Sequence, residues 1–209
     1  MPSPLLAGDI LVTDGGAGPG HAGIALAEAG RNRVLNQRAN EDGQRPAATQ
    51  IFHATSAEGV VSTIAWTQVS MVFRPANISP ELCMKLEVIA REISESARYG
   101  LARVLFKSWS ARSHFSANAR GRLAKYRTRL QNHQGVVKHV YCSEFIVLVY
   151  QLACEDEAHP LFPRLNAKHT LPGTLAEYLR RDATNWSLMG TTDGSGNGAM
   201  DFVPGGNAA

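Results

Sequence analysis

Cys142 opens one of the most apolar runs of the chain, VYCSEFIVLVYQLA (140–153). If that run is a helix, the cysteine sits where unpaired backbone N–H groups and the positive end of the helix dipole gather. Both favour the thiolate, which is the nucleophilic form of sulfur. The same N–H groups can hold an oxyanion during acyl transfer. The chemistry indicated is attack by sulfur on an acyl carbon. A second reading competes with it, because free cysteine is among the most buried residue types and often packs as a small hydrophobe. Cys83 and Cys154, within or at the end of predicted helices, take that second reading. A thiol nucleophile needs a base, and the base needs an orienting group. His21, directly after GGAGPG (15–20), and His53, inside IFHATS (51–56), both fall on strand-like segments, which hold side chains rigidly. Each could equally be a satisfied histidine at a strand edge. His114, His133, His159 and His169 lie in polar or loop surroundings, and His139, three residues before the cysteine, is a reserve candidate.

The elements that must position these groups follow from pattern. GDILVTDG (8–15), HAGIALAEAG (21–30), TQIFHATS (49–56), VVSTIAW (60–66) and VSMVFRP (69–75) predict short, antiparallel strands bounded by Gly, Asp and Pro. Residues 31–48 are polar and predict a loop. Ser79-Pro80-Glu81 is a helix start, with a capping hydroxyl, a proline at the first helical position and an acid at the positive end. Leu82, Leu86, Ile89, Ile93 and Ala97 then recur at helical spacing towards Gly100. Residues 115–133 predict a basic helix, 143–153 a helix buried on all sides, and 174–182 a short amphipathic helix. Strands first and helices later predict an α+β domain.

Taken together, GDILV (8–12), GHAGIAL (20–26) and the late YCSEF (141–145) resemble the motifs of the NlpC-type cell-wall hydrolases, which have a papain-like fold. An early histidine and a late cysteine resemble the circularly permuted branch of that superfamily. IFHATSAEGVV (51–61) is similar to the branch's next hairpin, with His53 in the place of its third polar residue, and PGTLAEYL (172–179) to the segment after the nucleophile helix. The resemblance touches four short blocks across residues 8–182 and finds no counterpart for the basic stretch 101–138. It implies a permuted papain-like fold, with a small antiparallel sheet packed against a central nucleophile-bearing helix. It implies one domain over 1–190 with a basic helical insertion at 101–138, while the Gly- and Asn-rich composition of 191–209 predicts a flexible tail. It also implies roles. Cys142 attacks an acyl carbon, His21 takes and returns the proton, and His53 orients His21. The backbone N–H of Cys142 is an oxyanion donor, and Tyr141 and Asp9 line the site.

Composition bounds the alternatives. The chain has 209 residues, 44% of them apolar and 19% charged, which suits a globular domain with a real core. Three widely spaced cysteines make no disulfide framework, and no CxxC or HExxH suggests a metal; no cofactor is implied. The Gly-rich loop matches neither the P-loop nor the dinucleotide fingerprint. No run has the length of a membrane-spanning helix, and the first residues, MPSPLLAGDI, do not predict a secretory signal. Between Leu101 and Ser143 there is no acid, yet nine of the 21 basic residues. That stretch is either a solvated helix face or a contact surface for an anionic partner such as a cell-wall polymer or a phospholipid headgroup; no specific nucleic-acid motif is present. The leading expectation is a thiol hydrolase that cleaves an amide bond, peptidoglycan stem peptide being the substrate by resemblance. It would be made in a bacterial cytoplasm and exported by a specialised secretion machine as an antibacterial effector, with a secretion or immunity protein as partner. Two alternatives are a lipid acyl hydrolase or acyltransferase resembling the lecithin:retinol acyltransferase relatives, and a non-catalytic module that grips an anionic polymer.

Overall fold

Short apolar runs punctuated by Gly, Asp and Pro fold as strands, and the longer runs with helical periodicity fold as helices. The computed structural model describes residues 3–13, 20–27, 47–55, 58–96, 98–99, 114–134, 139–195 and 201–204. In chain order the strands are β1 (Ser3–Pro4), β2 (Ile10–Thr13), β3 (His21–Leu26), β4 (Gln50–Thr55), β5 (Gly59–Thr63), β6 (Met71–Pro75), β7 (Arg98–Tyr99), β8 (His139–Val140), β9 (Trp186–Thr191) and β10 (Asp201–Pro204). The helices are α1 (Pro80–Ser96), α2 (Ala117–Gln131), α3 (Cys142–Cys154) and α4 (Pro172–Arg181), with a 3-10 turn at Ala167–His169. Eight strands form one antiparallel sheet in the order β1-β10-β9-β6-β2-β3-β4-β5, while β7 and β8 pair separately and in parallel. The protein is thus α+β.

Alternation along the central strands builds two cores. Ile10, Val12, Ala22, Ile24, Leu26, Phe52, Ala54 and Phe73 join the large core that contains α1 and α3. Leu11, Ala25, Ile51 and Val72, on the opposite face, form a smaller core with Leu5, Trp66 and Phe202. The sheet centre is covered on both sides, which is why β2 and β3 are nearly continuous apolar runs.

Every residue of α3 is buried. A helix so enclosed needs its polar side chains satisfied within the protein. The Ser143 hydroxyl donates to the Thr170 carbonyl at 2.7 Å. The Gln151 amide donates to the carbonyls of Pro163 and Leu165 at 2.8 and 2.7 Å. The Tyr150 hydroxyl donates to the Gly8 carbonyl at 2.5 Å, fastening the far end of α3 to the start of the chain. At the head of α1, the Ser79 hydroxyl accepts from the Leu82 N–H at 3.2 Å, as the capping pattern predicts.

The structure departs from the sequence expectations in several places. Strand β5 ends at Thr63 rather than reaching Trp66, because the chain turns there and buries the indole. Helix α1 stops at Ser96, short of Gly100, and Arg98–Tyr99 pairs with the strand just before Cys142 instead. Strands do not all precede helices: β9 and β10 return to the sheet after α4 and lie between β6 and β1. The stretch 191–209, expected to be a flexible tail, contributes β10, and Phe202 is buried in the smaller core. Such a short strand gains its stability from pairing with β1 on one side and β9 on the other, a nonlocal effect that its Gly-rich surroundings conceal. Of the loop expected at 31–48, residues 31–46 lie outside the described residues; Ala47 bridges to Leu6 and Ala48 is buried.

The described part of the basic stretch 101–138 is centred on α2, and residues 101–113 and 135–138 lie outside the described residues. Ala119 and Leu123 are its buried face. Three of its five cations are engaged internally: Arg120 with Glu157, Arg122 with the Asn166 side chain, and Arg127 with the Glu155 carbonyl that follows α3. Helix α2 is therefore first a packing element against α3. Among the described residues no helix is long and apolar enough to cross a membrane.

Candidate active site

The site is built where the head of α3 meets the start of β3. Residue Tyr141 is the N-cap of α3 with extended backbone and makes no side-chain cap, so Cys142 is the first helical residue. The Ser143 bond to Thr170 fixes this first turn from beneath. The Cys142 side chain is buried, and its thiol lies within hydrogen-bonding reach of the Ala22 N–H, the residue directly after His21. Burial pushes this thiol above its ordinary pKa. The N–H groups of Ala22, Ser143 and Cys142 itself, with the Ser143 hydroxyl, pull the other way without overcoming it.

His21 and His53 come together from adjacent strands. The register pairs Gly23 with His53, and alternation puts both imidazoles on the face of the sheet that carries Trp66. His21 Nε2 and His53 Nδ1 are 2.9 Å apart. The rings meet edge to face, with centroids 5.0 Å apart. Only one of the two nitrogens in such a contact can carry the proton. If it is His21 Nε2, then His21 Nδ1 presents a lone pair and can act as a base. Among the described residues no hydrogen bond joins the thiol to either imidazole; thiol and ring flank the first two residues of β3.

Both imidazoles are held neutral. Burial first, and then the charge of His53, lowers His21 from 6.5 to about 4. Burial also lowers His53, against a raising effect of Glu58. At neutral pH the thiol and both imidazoles rest neutral.

Trp66 completes the cluster, and the sequence reading had treated it only as the end of a strand. Its indole stacks on His21 with centroids 5.5 Å apart and an interplanar angle of 12°, and meets His53 edge to face at 5.3 Å. Gly23 makes room for it: a Cβ there would lie 2.7 Å from Ile51 Cγ2 and 3.0 Å from the indole. A glycine inside an otherwise apolar strand, as in HAGIAL, is the signal that could have announced this close approach.

Two other expected site residues are placed elsewhere or differently. Asp9 does not line the site. It lies at the other end of β2 from Thr13, the residue paired with His21, roughly 13 Å of strand away. There its carboxylate is fully buried, accepts from the Leu6 N–H at 2.9 Å and pairs with Arg74 at 2.7 Å. Asp9 is thus a structural anchor, because a Gly-Asp turn does not reveal which end of its strand the cysteine approaches. Tyr141 adjoins Cys142 but is buried, and its hydroxyl donates to the Ala167 carbonyl at 3.2 Å. Cys83 and Cys154 are buried thiols that form no disulfide. Burial pushes the Cys154 thiol up to about 12, against a small opposing effect of Lys85. The reserve candidate His139 is exposed on β8. No cluster of metal-ligating side chains occurs among the described residues.

A groove of about 640 Å³ lies elsewhere. It runs between α1, α2 and the end of α3, over Met84, Val88, Leu130 and Leu152. That places it at the opposite end of α3 from Cys142, about 20 Å of helix away. The reactive groups do not line this groove.

Comparison with protein-family models, with curated proteins and with solved structures finds no match to this chain.

Proposed function

We propose that the protein is a cysteine hydrolase of the permuted papain-like type that cleaves an amide bond through a thioester. One observation carries this reading. The thiol of a cysteine that heads a buried helix reaches the N–H of Ala22, the residue after His21, and His21 is hydrogen-bonded to His53 with one ring nitrogen left over. The chemistry follows from the roles. His21 Nδ1 takes the thiol proton as Cys142 Sγ attacks the acyl carbon. The oxyanion so formed is held by the first N–H groups of α3. The tetrahedral species expels the amine, which leaves with the proton from His21. Water, losing a proton to the same nitrogen, then attacks the thioester and releases the acid and the free thiol. His53 holds His21 in the tautomer that keeps Nδ1 basic. By the motif resemblance the substrate is a peptidoglycan stem peptide. Delivery by a specialised secretion route, and an immunity partner in the producing cell, belong to the same reading.

Thiol reactivity tests it without a known substrate. Cys142 is expected to alkylate fastest of the three cysteines in the folded protein near neutral pH, and His21→Ala to slow it. A Cys142 as inert as Cys83 sinks the catalytic reading. Mass spectrometry of digests then fixes the substrate: muropeptides released from purified sacculi support the stem peptide, and fatty acid freed from phospholipid vesicles replaces it.

A further inference from the structure

We propose that Ser70 and Thr192 are positioning residues for the His21–His53 pair, acting through Trp66; this rests on the reading that the pair serves Cys142. The indole Nε1–H donates to the Ser70 hydroxyl at 2.9 Å, in a buried position. The Ser70 hydroxyl is 2.6 Å from the Thr13 hydroxyl, which in turn donates to Gln68 Oε1 at 2.9 Å. The directions are mutually consistent. Ser70 accepts from Trp66 and donates to Thr13, which is closer than its other acceptor, the Gln68 carbonyl at 3.5 Å, and Thr13 donates to the Gln68 side chain. Thr13 is also the register partner of His21, so this relay begins at the indole that covers His21 and returns to the strand beside it.

Thr192 locks the backbone of the same loop. Its hydroxyl accepts from the Ser70 N–H at 2.9 Å and donates to the Gln68 carbonyl at 2.7 Å, while its own N–H donates to the Ser70 carbonyl at 2.9 Å. Two residues on, Gly194 adopts a φ of +71° and packs so close to Val69 that a Cβ would lie 3.1 Å from the Val69 N. The loop that carries Trp66 is thus clasped by the chain just beyond β9, a part of the sequence far from any motif. Ser70 and Thr192 are both buried. Hydroxyls so placed have no solvent role. Their joint effect is to fix the plane of an indole that stacks on His21 and excludes water from it.

The test uses the full chain with Ser70→Ala, Thr192→Val and Thr192→Ser. The His21 ring is followed by NMR titration, its signals assigned by their loss in His21→Gln. The charged groups that bear on this ring or its partner are His53 and Glu58, and both are retained. In the wild type the His21 titration is expected near 4, where burial places it. In Ser70→Ala and Thr192→Val the indole loosens, water reaches the ring, and the midpoint moves up towards the ordinary 6.5. Cys142 alkylation at pH 7 falls by up to about a hundredfold, the scale expected for a misplaced base. Thr192→Ser, which keeps the hydroxyl, restores both values. Folded variants whose His21 titration matches wild type overturn the proposal. If Ser70→Ala does not fold, Thr192→Val decides. If neither folds, the hydroxyls hold the fold rather than the ring, and the proposal is also overturned. Failure of the hydrolase reading has a separate signature: wild-type Cys142 alkylation that is indifferent to His21→Gln, with the His21 titration still shifting in the positioning variants.

Discussion

An imidazole that stays neutral at mildly acidic pH can still take a proton from sulfur, and this sets the pH behaviour expected of the site. His21 is held near 4 by burial, so it remains a base down to that pH. The acid limb of the Cys142 alkylation profile is expected to fall near pH 4 in the wild type rather than near 6.5. Stability has a different window. The unfolded chain protonates His21 below about 6.5, whereas the folded chain does so only below about 4. Between those values the unfolded state binds the extra proton, so stability is fully present above 6.5 and is lost as pH falls towards 4. The full difference is on the order of 3 kcal/mol. Denaturant titrations of wild type and His21→Gln across this range should converge as pH falls; parallel curves would refute the assignment. Asp9 supports a contrasting prediction. Arg74→Met leaves a buried carboxylate uncompensated and should cost about 3–5 kcal/mol in denaturant unfolding, with little change in Cys142 alkylation. A large loss of reactivity in a stable Arg74→Met protein would return Asp9 to the site.

At the level of elements, the site depends on a strand that gives up a side chain. Gly23 lets Trp66 lie across β3, and Gly23→Ala drives a methyl into Ile51 and the indole. Overpacking of this kind costs about 1–3 kcal/mol, and here it should also lift Trp66 from His21. A drop in thermal stability together with an upward move of the His21 titration is the expected pair of results; lost stability with an unmoved titration would separate the indole from the base. The elements that hold the reactive groups were legible in sequence because each carries its own local signal. The apolar run 143–153 has helical length, Ser79-Pro80-Glu81 is a capping pattern, and the short runs around His21 and His53 are strand-like. Trp66 was not legible, since its place follows from a turn after Thr63 and from the Ser70–Thr192 clasp. The basic segment misled in proportion to its charge: α2 carries five cations, but Arg120, Arg122 and Arg127 face partners within the fold.

For the whole molecule, the sheet is completed by its two chain ends. Ser3 pairs with Phe202, and the Phe202 ring fills the smaller core beneath the Arg74 guanidinium, 5.3 Å from its centroid. Phe202→Ala should destabilise the domain by about 3–5 kcal/mol in denaturant unfolding. An effect below about 0.5 kcal/mol, the level of ordinary surface changes, would mean that β10 is dispensable. This closure was invisible in sequence because DFVP sits among glycines and its partners lie at the other end of the chain. The wide separation of parts has a consequence in time. During synthesis the ribosome makes His21 and His53 early and reaches Cys142 only on the order of ten seconds later, at ordinary elongation rates. The residues of the indole clasp arrive later still, at Thr192. A nascent chain therefore carries its imidazoles well before it carries the Cys142 thiol, and the parts described here can assemble only after Thr192 has been made.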